Sequence, residues 1–344
     1  MTASPWALEL LVLAFAGGAL GASVGALPSF VLAGLVVVAG ETYALAARTA
    51  GVATAVDLTG AVGFGVVLGP HVAFGGGAAA LAYAARRDGV PVDADGAPHP
   101  AKGVTTGLGN RPDVLAVGGA FGVVGHLVAA ASGALSLPVD PVALGVVGSA
   151  VVHRLAFGYS LLGAAPRRLF DRFAVTGDGV PRPDGDGGRP APWLPYQHRW
   201  RDVAGLGLVA GALGAYVAYL TASAFLAFGL SVVLLAALVA GVERVPVTHH
   251  VTLPASTAVL ALVGGGAPTP GVVQGAVPLG TAVAVGTAFG LAGALAGEAL
   301  QRALYAGAET HLDPPAASIV VTSALVALLA AVGVLPSSAW VPAP

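Results

Sequence analysis

Cysteine is absent from the chain. Disulfides, thiolate-held zinc, iron–sulfur clusters and thiol catalysis are therefore excluded. Charge is nearly as scarce: Asp, Glu, Lys and Arg make up 9% of the residues, against about 25% in soluble domains. A net charge of −2 offers no basic footprint for nucleic acid. Lys102 is the single lysine, and every other basic residue is Arg. The usual catalytic signatures are missing as well, with no H-E-x-x-H and no G-x-x-x-x-G-K-[ST]. Gly21-Ala22-Ser23-Val24-Gly25 spells G-x-S-x-G, but a nucleophile elbow needs a strand–turn–helix, and here the motif lies in a helical glycine stripe. His249-His250 is too short a cluster to argue a metal site. The chain is thus expected to be no enzyme and to need no cofactor or metal. Its N-terminal stretch lacks a basic n-region and carries Glu9 instead. A cleaved signal peptide is not expected, and the first apolar run reads as a retained span.

What fills the chain is apolar: 56% of residues are hydrophobic and the mean hydropathy is +0.85. A soluble fold of this length could not hide so much apolar surface, so the lipid bilayer is the expected solvent. A spanning helix needs about 20 mainly apolar residues. Runs of that kind fall near 6–26, 29–48, 57–87, 114–134, 141–163, 203–221, 223–242, 250–264, 279–303 and 315–335. The expected fold is all-α: a polytopic membrane protein of about ten spans. Residues 1–163 form one membrane repeat and 203–344 a second. Between them lies a cytoplasmic linker, 164–202, whose Gly/Pro/Asp-rich centre at 177–192 reads as disordered. Placing this linker and the 88–112 loop in the cytoplasm of a plasma-membrane protein satisfies the Lys/Arg bias. Arg86, Arg87, Lys102, Arg111, Arg199, Arg201, Arg244 and Arg302 then lie inside and Arg48 outside, with both termini external. Arg154 is close enough to the inner end to snorkel.

The halves look alike. Residues 117–125, VGGAFGVVG, match 285–293, VGTAFGLAG. Asp140-Pro141 matches Asp313-Pro314, each pair reading as an N-cap and N1 proline. Gly18 to Gly21 match Gly211 to Gly214, Phe30 and Gly34 match Phe225 and Gly229, and His71-Val72 matches His250-Val251. Five spans per half is an odd number, so tandem halves enter the membrane with opposite orientation, the inverted repeat common among secondary transporters. The 57–87 run is broken by Gly69-Pro70-His71 and Gly75-Gly76-Gly77, so the third and eighth helices are expected to be broken or half-length. Residues 50–69 have no counterpart in the second half. They read as the outer part of a long broken helix or as a re-entrant half-helix.

Polar groups inside the apolar runs are the candidate site. Small residues recur every fourth position at Gly17, Gly21 and Gly25, at Gly118 and Gly122, at Gly207 and Gly211, and at Gly286 and Gly290. Such stripes let helices approach closely and also offer a surface for self-association. Two continue into ionisable residues, one to His126 and the other to Glu298 and Arg302, while Gly145 and Ser149 lead to His153. A spacing of four keeps roughly one face, directed into the bundle. Glu41 lies well inside the second span, where a bare carboxylate costs several kcal/mol. It must be protonated, paired or wetted. Candidates for a substrate or proton pathway are therefore Glu41, His71, His126, His153, His250, Pro254 and Glu298. Each also has a plainer reading. Glu298 and Arg302 form a favourable i, i+4 pair; His126 and His153 can bond between helices; His71 and His250 can bond local backbone.

The segments GPHVAFGGGAAALAY and GLGNRPDVLAVGGAFGVVGHLV, with PWLPYQ before the sixth span, resemble a family of multi-pass membrane proteins of haloarchaea and some bacteria, a family that brings no assigned activity. Leu253-Pro254-Ala255-Ser256-Thr257 is similar to the L-P-x-x-T part of the urea-transporter signature, whose fold is two inverted five-span halves. The Pro-Phe that follows there is replaced by Ala258-Val259-Leu260. These features lead to a transporter or channel for a small solute or ion, with its site between the repeats at the breaks Gly69–His71 and His250–Pro254. A membrane scaffold or partner subunit docking through the 88–112 and 164–202 loops is the alternative, and an intramembrane enzyme ranks last. A cavity lined by Glu41 and the breaks would favour transport, whereas a tight bundle with these groups satisfied by neighbours would favour the scaffold.

Overall fold

A computed structural model describes residues 4–87, 100–162, 192–264 and 268–342. Among them the secondary structure is helical, with no strand. An apolar, Ala- and Leu-rich chain in lipid must satisfy its backbone within each segment, and the helix does so. The helices are α1 (Leu8–Val24), α2 (Ala26–Ala50), α3 (Ala73–Arg87), α4 (Pro112–Ala134), α5 (Pro141–Ala156), α6 (Trp200–Thr221), α7 (Leu226–Val233), α8 (Leu235–Val239), α9 (His249–Ala261), α10 (Pro270–Ala276), α11 (Leu279–Leu300) and α12 (Pro314–Ala331). The breaks have local causes. Gly25, at φ 102°, separates α1 from α2, a conformation that glycine adopts without penalty. Asp140 and Asp313 cap α5 and α12 with their carboxylates, each followed by proline.

Each of the ten apolar runs holds helix, yet among the described residues five helices are long and apolar enough to cross a membrane, consistent with a membrane protein. They are α2, α4, α6, α12 and α11 with its continuation to Tyr305. Helices α1, α5 and α7 with α8 are apolar but shorter. The 57–87 run does not form one helix. Thr59–Gly63 makes a single π-helical turn, further turns follow, and α3 starts only at Ala73. Past the end of α2, the 50–69 piece is thus helical only at 58–63 and is separated from α3 by turns. It folds back onto α2, where Thr59 meets Gly40 and Gly63 meets Val37. Helix α9 has 13 residues, every one buried, and α3 is almost as enclosed. Such central helices are shielded by neighbours and need not match the bilayer in length. Helix α10, capped by Thr269, was not expected from the sequence.

Packing follows two parallel patterns. Helix α1 lies against α3 and α4, and α4 against α5; α6 lies against α9 and α11, and α11 against α12. The two groups meet along α2 with α7 and along α5 with α12. In the first seam Gly34 faces Val232 while Gly229 faces Val37, so the helices cross antiparallel. In the second, the Asp140 N–H donates to Ser323 Oγ (2.9 Å) while Arg154 reaches Thr310, antiparallel again. The glycine stripes are consumed inside the chain. A Cβ on Gly18 would strike Gly118 and Gly122, and one on Gly290 would strike Gly211. They are therefore not an outer surface for self-association.

One expectation about a helix end needs correction. Arg154 does not snorkel but is fully buried. Its Nε donates to Thr310 Oγ1 (2.9 Å), and its terminal nitrogens donate to the carbonyls of Leu161, Leu304 and Thr310. Leu161 and Thr310 lie outside the helices and Leu304 in the π-helical turn 301–305, and the guanidinium fork donates to all three carbonyls. The described end of the 88–112 loop is tied to the bundle near 101–108, while Gly109 to Pro112 are exposed. The Leu27 N–H donates to the Val104 carbonyl, the Leu108 N–H to that of Ala22, and Lys102 Nζ to that of Tyr305 (2.8 Å). The rest of that loop, and the linker with its expected disordered centre up to residue 191, lie outside the described residues.

Candidate functional site

A cavity of about 400 Å³ lies between the two groups of helices. Helix α2 contributes Phe30 and Glu41, the folded-back segment Asp57, Thr59, Gly60 and Phe64, and the turn before α3 Pro70, with Phe74 on α3. Asp140, Ala143 and Val146 enter from the start of α5; Asp313, Ala316 and Ile319 enter from the start of α12. Phe225, Phe228, Leu253 and Trp340 close the remaining wall. Asp57 and Gly60 are exposed and mark the mouth. Behind Phe74 lies a cluster of edge-on rings around His311, which has Phe74, Trp193 and Tyr305 at 5.7, 5.2 and 5.2 Å.

The aromatic wall is continuous. Phe30 meets Phe74 and Phe228 edge-on at 6.1 Å, Phe64 meets Phe225 at 5.1 Å, and Phe225 meets Trp340 at 5.0 Å. Trp340 is held in place by donating from Nε1 to Thr257 Oγ1 (2.9 Å). The polar groups are acidic. Glu41 is buried near the mouth, where its two oxygens accept from Thr59 Oγ1 (2.7 Å) and Ser223 Oγ (2.6 Å). Asp140 Oδ1 accepts from the N–H groups of Val142 and Ala143. Asp313 accepts from the Ala316 N–H (2.7 Å) and lies 3.2 Å from His311 Nε2.

Of the expected pathway residues, the cavity gathers only Glu41. From the first break it takes Pro70 rather than His71, whose ring folds back over Gly69 while its carbonyl packs on Gly125. From the second it takes Leu253. His250 instead turns toward Gly297 and a gap of about 30 Å³ that it shares with Glu298 and Gln301. Pro254 packs on Gly293 and lines a gap of about 10 Å³. His126 is half-buried at the far side of α4, 3.1 Å from the Pro5 carbonyl. His153 is fully buried beside Thr310 Oγ1 (3.2 Å). Glu298 accepts from Arg302 Nε (2.6 Å) and Gln301 Nε2 (2.7 Å), so it belongs to a buried structural pair. Spacing alone puts these side chains on the inner faces of their helices. It does not say which neighbour each inner face meets.

The sequence reading missed the aromatics and favoured a capping role for Asp140 and Asp313 over a ligand role. The signal for them is the repeat itself, which pairs Phe30 with Phe225 and Asp140 with Asp313. Nothing in the sequence points to Trp340. Among the described residues no three His, Asp or Glu side chains gather within reach of one metal ion.

The whole chain, residues 1–344, matches the model of a Family of unknown function (DUF7973), and the protein belongs to that family. No curated protein and no solved structure matches it.

Proposed function

We propose that this member of a family without assigned activity moves a small solute or ion across the plasma membrane, as a transporter or channel. Its two halves, 1–163 and 203–344, are inverted five-helix repeats, with α3 and α9 as the half-length third and eighth helices. The long loops are cytoplasmic and the termini external. The observation that carries the reading is the cavity between the halves, lined at matched positions from both: Phe30 and Phe225, Asp140 and Asp313, Ala143 and Ala316, Val146 and Ile319. A site at the interface of inverted repeats near mid-membrane is the usual place for cargo.

Close backbone contacts support the repeat independently. Gly125 takes the His71 carbonyl against its α-carbon, and Gly293 takes that of His250. Gly21 meets Ala73, and Gly214 meets Thr252, at the matched step of the same helices. In this reading the cavity opens at Asp57 and Gly60, and the packing of Phe74 on His311 forms its inner closure. Passage of cargo needs that inner closure to part, with α5 and α12 rocking on their antiparallel seam.

Flux into proteoliposomes over a panel of ions and small solutes tests the proposal. Wild type is expected to pass at least one of them. Ala143→Trp, which fills the cavity from α5, is expected to abolish that flux without unfolding the protein. Equal flux in both, or none for any solute, would count against transport.

A further inference from the structure

We propose that the central cavity takes an organic cation, an amine or quaternary ammonium with an apolar body. Its use as cargo rests on the transport reading; its chemistry rests on the cavity wall. Consider first the sign of the charge. Among the described lining residues are Glu41, Asp57, Asp140 and Asp313, and none is Lys, Arg or His. The buried cations are engaged elsewhere. Arg154 and Lys102 donate to carbonyls at the inner end, and Arg302 is held by Glu298. Helix N-termini attract anions, but those of α5 and α12 already carry their own aspartates as caps. An entering anion would meet carboxylates and no counter-charge.

The second observation is Asp140 itself. It is 7% exposed, and Oδ1 takes both capping hydrogen bonds. Oδ2 has no hydrogen-bond partner among the described residues, although the side chain lines the cavity. That oxygen is not among the fully enclosed atoms that lack a partner; it is reachable from the space the side chain lines, where a positive ligand would pair with it. The third observation is the ring wall. Aromatic faces attract a cation within about 6 Å, most strongly where water is excluded, and such cages suit quaternary ammonium groups. A space of about 400 Å³ falls within the roughly 300–1,000 Å³ of small-molecule sites. A calcium or magnesium ion, wanting six or so oxygens at about 2–2.6 Å, finds no group of three acidic or histidine ligands among the described residues.

The test is equilibrium dialysis of labelled phenyltrimethylammonium against the purified full-length protein in detergent. Benzenesulfonate and tert-butylbenzene, which carry the same ring with negative or no charge, serve as competitors. Saturable binding is expected, displaced by neither. Asp140→Asn keeps the capping oxygen, since Asn caps helices as well as Asp does, and is expected to weaken binding about tenfold or more. Phe228→Leu removes a ring face at similar volume and is expected to weaken it several-fold; it decides the matter where Asp140→Asn does not fold. No saturable binding, equal displacement by benzenesulfonate, or unchanged affinity in folded variants would overturn the inference. Binding without flux in proteoliposomes leaves the cation site standing and removes the transport reading. Flux of an anion or neutral solute with no cation binding does the reverse.

Discussion

Glu41 shows how one side chain can serve both the fold and a site. In the sequence it is an acid stranded in an apolar run. In the structure its two oxygens bridge three pieces of chain. Thr59 holds it from the folded-back segment and Ser223 from the turn before α7, and Ser223 Oγ also accepts from the N–H groups of Phe225 and Leu226. The carboxylate therefore fixes the mouth of the cavity as well as lining it. Glu41→Ala leaves two buried hydroxyls without their acceptor and is expected to destabilise the protein by about 1–3 kcal/mol. Glu41→Gln keeps one carbonyl oxygen and is expected to lose less. Denaturant unfolding in mixed micelles measures both; equal stability of Glu41→Ala and wild type would show that the bridge contributes nothing.

At the scale of elements, the parts that were legible have local chemistry. Asp-Pro marks the starts of α5 and α12 because capping and the N1 proline act within one turn. The run lengths locate α2, α4, α6, α11 and α12 because a bilayer crossing sets a length. What was not legible depends on partners. Whether an inner face meets a cavity or a neighbouring helix is decided by packing, so His126, His153 and Glu298 carry the same four-residue signal as Glu41 and end elsewhere. Arg154 is the clearest case, close enough to a helix end to reach the surface and yet drawn inward by the carbonyls it donates to. It joins α5 to the segment between α11 and α12. Arg154→Met, similar in length but without donors, leaves the carbonyls of Leu161, Leu304 and Thr310 unpaired. It is expected to cost about 3 kcal/mol or more, at about 1–3 kcal/mol for each buried acceptor left unpaired, with Arg154→Lys retaining part of it. The same unfolding measurement decides; a loss below about 1 kcal/mol in Arg154→Met would place the side chain at the surface after all.

At the scale of the molecule, the proposed repeat rests on helix order and on matched backbone contacts, and it is interrupted where the 50–69 piece is inserted. That piece has no counterpart and supplies Asp57, Thr59, Gly60 and Phe64 to one rim of the cavity. The departure from symmetry therefore falls at the mouth. The matched core fixes a stronger consequence. Helix α2 crosses α7 antiparallel, because a Cβ on Gly34 would stand 2.6 Å from Val232 and one on Gly229 would stand 2.9 Å from Val37. If α2 and the α7–α8 pair both cross the membrane, their C-terminal ends must emerge on opposite faces. Ala50 ends α2, and Glu243 follows α8; both are exposed. The natural absence of cysteine makes each position open to labelling without background. An impermeant maleimide added to intact cells is expected to label Ala50→Cys and to spare Glu243→Cys until the membrane is opened. Labelling of both from one face would remove the inverted repeat, and with it the argument that places a shared site between the halves.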